Sequence, residues 1–235
     1  IVQAIKMDSE NIPVLLECCK LLEDFYDYAS SLPDTNQIDI IQTIKNQYEQ
    51  LQKNLQLQNL ESLHTILESA FAICQLAATI HPEHFYVQIQ MIILEIKRAN
   101  FKQAKIELKR AEKNRPQSPY LYFAWGKLFF EQKQFTKARH YFQLVRQLHK
   151  RNIRIYLRLA EVMFCLNEER EANLAIQIFC NKLQENRENI SVAEYITLLL
   201  DYKLVVSRYR CHAPINISDV YKAIKQLDKN HPAVL

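Results

Sequence analysis

The chain has 235 residues, 49% of them hydrophobic, with one glycine and seven prolines. That content supplies a sizeable core and excludes both a sheet built on tight hairpins and a glycine-rich phosphate loop. The net charge of +4 hides an asymmetry: residues 1–84 hold 4 basic and 12 acidic side chains and the remainder 26 and 14, so the two parts attract each other or meet oppositely charged partners.

Six cysteines (Cys18, Cys19, Cys74, Cys165, Cys180, Cys211) form no CxxC pair and no regular framework, which points to free thiols in a reducing, cytoplasmic compartment. No apolar run reaches the roughly 18 residues that cross a bilayer, so a soluble protein with no membrane partner is expected. The chain opens on Ile1 and reads as a processed chain or a domain of a larger protein.

In chain order, Val14, Leu15, Cys18, Leu21, Leu22, Phe25 and Tyr28 recur at helical spacing from Asn11 to about Ser30, with Pro13 near the first turn. Residues 31–36 gather turn formers and read as a loop. A second helix is expected from Ile38 to about Leu57, packed as a hairpin on the first or projecting as a coiled-coil arm. Leu60 to Ile80 forms the next, ended by His81-Pro82. Three pairs then follow: 85–98 with 101–113, 119–132 with 135–149, and 153–166 with 168–184. Ser191 and Glu194 fit a capping box that opens a helix to about Ser207, and 218–229 reads as the last helix.

Ala70, Ala104, Ala138 and Ala172 stand 34 residues apart. A fixed period of this length, carried by pairs of amphipathic helices, marks a helical solenoid. In the block 119–152, Tyr122, Trp125, Gly126 and Phe129 precede Ala138 and Phe142, and in this order they resemble the tetratricopeptide repeat family. Gly126 falls where the two helices of a repeat approach most closely, so a side chain there forces them apart. The block 85–118 keeps Met91, Ala104, Leu108, Ala111 and Pro116 but places Ile92 at the small position. The block 153–186 keeps Tyr156, Leu159, Ala160, Met163 and Ala172 but carries Phe179 and Gln184 where a small residue and proline are usual. Residues 51–84 match the second helix alone.

The resemblance implies an all-α, right-handed superhelix: acidic helices over 1–84, three repeats over 85–186, and capping helices over 187–235 that close the exposed apolar ends. It also implies a concave surface lined by the first helix of each repeat. Tyr86, Ile89 and Ile93 occupy its positions in the first repeat, Tyr120, Phe123, Lys127 and Phe130 in the second, and Arg154, Leu157, Arg158 and Phe164 in the third. An apolar strip flanked by Lys127, Arg154 and Arg158 suits an amphipathic helix or extended peptide with acidic groups. Ile89, Ile93 and Ala124 replace residues of the family's chaperone-binding carboxylate clamp, which argues against that ligand. The chain's own terminal helix filling the groove is the alternative, because large exposed apolar patches are rare on a monomer.

Other constellations carry less. His81, Glu83 and His84 have no matching ligands elsewhere at zinc spacing, so no metal or cofactor is expected. Glu168, Glu169 and Glu171 fall at a helix start, where they complement the dipole. No arrangement of nucleophile and base can be argued from spacing. The reading is therefore a non-enzymatic adaptor or regulatory scaffold that binds a protein or peptide. Two alternatives stand beside it. One is nucleic-acid binding through Arg139, His140, Arg146, His149, Lys150, Arg151 and Arg154 or through Arg208, Tyr209, Arg210 and His212. The other is a self-associating domain of a signalling protein, in which the acidic part of one copy docks on the basic repeats of another.

Overall fold

The fold is taken from a computed structural model that describes residues 12–30, 41–42, 62–211 and 213–227. Among these residues it is all helix and turn, with no strand: α1 (Ile12–Ser30), α2 (Leu63–Ile80), α3 (Phe85–Lys97), α4 (Phe101–Asn114), α5 (Pro119–Glu131), α6 (Phe135–Leu148), α7 (Arg154–Cys165), α8 (Glu169–Glu185), α9 (Val192–Tyr209) and α10 (Ile217–Leu227). No helix among them is long and apolar enough to cross a membrane. Of the helix expected over 38–57 only residues 41–42 are described, both helical, and Ile41 packs against the core of the first helices.

Two compact units divide the chain at Pro116–Gln117, inside the block read as three repeats. In the first, α1 packs lengthwise on α2. Leu15, Cys18, Cys19 and Leu22 share a core with Ile66, Ala70, Ile73, Cys74 and Ala77, and the Cys19 thiol donates to the Ala70 carbonyl at 3.3 Å. The described partner of α1 is thus α2. Ser62 opens α2 with a reciprocal cap, its hydroxyl accepting from the Thr65 amide while the Thr65 hydroxyl oxygen accepts from the Ser62 amide. His84 caps α3, its Nδ1 accepting from the Val87 amide.

The 34-residue period reappears in the turns. Within each pair the chain reverses through one residue with left-handed backbone: Ala99 (φ 61°), Lys133 (φ 58°) and Asn167 (φ 61°). Each turn is closed by the same two hydrogen bonds, from Ala99, Lys133 or Asn167 to the carbonyl three residues back, and from Asn100, Gln134 or Glu168 to the carbonyl five back. These are Schellman closures, which satisfy the last carbonyls of α3, α5 and α7. Ala104, Ala138 and Ala172 are fully buried, as small residues must be where paired helices meet.

Gly126 shows the same closeness. A Cβ built on it would lie 2.3 Å from Cε1 and 2.5 Å from Cδ1 of Phe142, a ring on α6 that is itself buried. In the second unit Ala172, Ile176 and Phe179 of α8 and Ile196, Leu199, Tyr202 and Val205 of α9 form a shared core, completed by Val220 and Ile224 of α10. The Tyr202 hydroxyl donates to the Ile215 carbonyl and accepts from the Ile215 amide, fixing the turn before α10. Burial pushes this phenol up from its ordinary range.

Candidate functional site

The residues expected to line a binding face divide into three groups. In the first unit Tyr86 is exposed, while Ile89 and Ile93 are 5% and 7% exposed and belong to the interior. The acidic side of α1 meets polar side chains of α3, the same helix. Gln90 donates to Glu23 at 2.7 Å, Lys97 stands 3.3 Å from Glu23 and also pairs with Asp27. The next residue, Arg98, grips Glu68 of α2 through Nε and Nη2 and lies over the Phe71 ring. The attraction expected between the acidic and basic parts of the chain is realised here within the unit.

In the second unit, α9 does the same to α7. Arg154 Nε lies 2.5 Å from Asp201, and Arg158 reaches both Asp201 at 3.6 Å and Glu161 at 2.6 Å. Arg208 closes on the other oxygen of Glu161 at 3.1 Å. Glu161 and Asp201 are buried, so their charges are tolerable only because guanidinium groups surround them. Phe164 stacks on Tyr209 with centroids 4.8 Å apart, and the Tyr209 hydroxyl sits 3.4 Å from the Cys165 sulfur. Burial pushes the Tyr209 phenol up as well. Leu157 is 1% exposed. Arg154, Arg158, Leu157 and Phe164 therefore meet α9 of the same chain, which is not the terminal helix considered from the sequence.

The third group, on α5, has a different environment. Tyr120 is 41% exposed, and Phe123, Lys127 and Phe130 are half-buried. Phe123 and Phe130 rest on a core of Ala138, Phe142, Val145 and Ile155. Lys127 lies over the Phe123 ring at 5.9 Å, a cation–π placement, and Phe130 meets Phe135 edge-on at 5.6 Å. Phe123 stands 5.8 Å from Phe142, the ring that Gly126 admits. The aromatic side of α5 is thus held in place from below and reaches solvent at Tyr120. Sequence reasoning names these residues; what it misses is the closure of the flanking two sets, which depends on contacts with residues far along the chain.

The groups weighed for other chemistry have structural work. Glu168 precedes α8 and takes Arg139 Nη1 at 2.7 Å on both oxygens. Cys18, Cys19, Cys74 and Cys180 are buried, and burial pushes the Cys18 and Cys180 thiols up to about 11, away from thiolate chemistry. Among the described residues no group of three or more histidine, cysteine, aspartate or glutamate side chains is placed to hold a metal ion. No family model matches the chain, and no curated protein matches it either.

Proposed function

We propose that the chain is a tetratricopeptide-like interaction module, without catalytic activity of its own, that binds a helix or extended segment of another protein on the aromatic side of α5. The observation that carries this reading is the contrast among three helices in equivalent register. On α3, Gln90 and Lys97 meet carboxylates of α1 and Ile89 and Ile93 are buried; on α7, Arg154 and Arg158 meet Asp201 of α9; on α5, Tyr120 is exposed and Phe123 and Phe130 are half-buried, with Lys127 across the Phe123 ring. The chain's own contacts also describe the ligand: α1 brings Glu23 and Asp27 to Lys97, and α9 brings Asp201 to Arg154 and Arg158 beside an apolar surface. A partner of the same chemistry, an amphipathic helix with acidic residues, suits α5. Its preformed surface lowers the ordering cost of the complex.

Affinity capture from the cells that make the protein, with nuclease present, tests this. Tyr120→Ala removes an exposed ring and is expected to leave the melting temperature within about 2 °C, yet to reduce recovery of the captured protein at least about fivefold, the effect of losing an aromatic anchor. Equal recovery by wild type and variant would remove α5 as the binding face.

A further inference from the structure

Helix α4 buries one side and concentrates charge on the other. Ala104, Leu108 and Ala111 are buried at three- and four-residue spacing, while Lys102, Lys105, Lys109, Arg110 and Lys113 are all exposed. On a helix of 3.6 residues per turn the four lysines fall within roughly 80° of the circumference and span roughly 16 Å of its axis. Lys105, Lys109 and Lys113 follow one another at i,i+4, where like charges weaken a helix. On the preceding helix, by contrast, Lys97 and its neighbour Arg98 are held by Glu23, Asp27, Glu68 and Glu95. None of the five cations of α4 forms an ion pair among the described residues.

We propose that the outer side of α4 binds the phosphate backbone of double-stranded nucleic acid without reading its sequence. A flexible ammonium meets a phosphate as a point charge and needs no pocket. Protein interfaces, in contrast, are depleted in lysine. An anionic membrane surface would need apolar side chains on the same side, and α4 offers only Ile106 there, its other apolar residues lying inside the unit. No outward position of α4 is aromatic, so single strands find no stacking platform, which favours the duplex. This surface shares no residue with the α5 face, and the two proposals stand or fall separately.

The test is fluorescence anisotropy of the full chain with labelled duplexes of about 24 base pairs, as RNA and as DNA, each in two unrelated sequences, from about 50 to about 200 mM salt. Binding is expected to differ less than about threefold between sequences, with a log–log salt slope of about −4 to −5 for five cations. The variant Lys105→Gln/Lys109→Gln/Lys113→Gln is expected to flatten the slope by about 2.7 and weaken binding at least about tenfold at low salt. Lys222→Gln/Lys225→Gln, on exposed positions of α10, changes neither. Should the triple variant lose its helical circular-dichroism spectrum, Lys109→Gln alone decides, with an expected flattening of about 0.9. A wild type that ignores both duplexes, a triple variant with an unchanged slope, or tighter binding to poly-glutamate or phosphatidylserine vesicles than to duplex would overturn the proposal.

Discussion

Gly126 has no conformational reason to be glycine, since it lies inside α5; its reason is Phe142. Even the methyl of Gly126→Ala would overlap the buried Phe142 ring, so the substitution is expected to cost about 1–3 kcal/mol, the usual penalty of overpacking. The three left-handed turn positions make the opposite case. Ala99 and Lys133 hold a backbone that costs an L-residue roughly 1–2 kcal/mol, while Asn167 tolerates it better. Ala99→Gly and Lys133→Gly are expected to stabilise by up to about 1 kcal/mol after glycine's entropy is charged, and Asn167→Gly by less. Urea denaturation reads all four, and a stabilising Gly126→Ala or a destabilising Lys133→Gly would contradict the account. The glycine's role was legible in the sequence because the block 119–152 resembles a repeat in which that position is small. The turns were not, because none of their central residues is the glycine that usually announces such a backbone.

Among the elements, α9 decides how α7 is read. Arg154 and Arg158 looked like ligand-binding residues because their register puts them on an open side of the repeat. Asp201 and Tyr209, 35 or more residues further on in sequence, convert that side into an interface. Periodicity tells which residues of a helix share a side, but not which later helix will cover it. The asymmetry of burial gives a prediction. Arg154→Ala/Arg158→Ala leaves Asp201 a buried carboxylate without its guanidinium partners and is expected to cost on the order of 3 kcal/mol. Asp201→Ala leaves two half-exposed arginines that water can solvate, at on the order of 1 kcal/mol. Thermal unfolding of both variants checks the order, and equal losses would mean that α9 is held by its apolar contacts alone. The bounds of α3 to α8 themselves were legible almost to the residue, since most of them recur in 34-residue register from pair to pair.

For the molecule as a whole, the charge asymmetry was legible as a sum and its resolution was not. Part of the negative charge of residues 1–84 is spent inside the first unit, where Glu23, Asp27 and Glu68 hold Lys97 and Arg98. In the second unit Asp201 and Glu161 hold three arginines. The basic side chains of α3 and α7 are thereby held by carboxylates of their own unit, Tyr86 of α3 is exposed, and the aromatic side of α5 reaches solvent at Tyr120. The account therefore turns on whether that side meets another protein. The most direct measurement places a photo-reactive phenylalanine analogue at Tyr120 and, separately, at Leu174, a more accessible position on α8 that is 60% exposed. Irradiation in the native cells followed by mass spectrometry should give a protein adduct at 120, within an acidic amphipathic segment of the partner, and little at 174. Equal labelling at both positions, or none at 120, would contradict the assignment of α5 as the binding face.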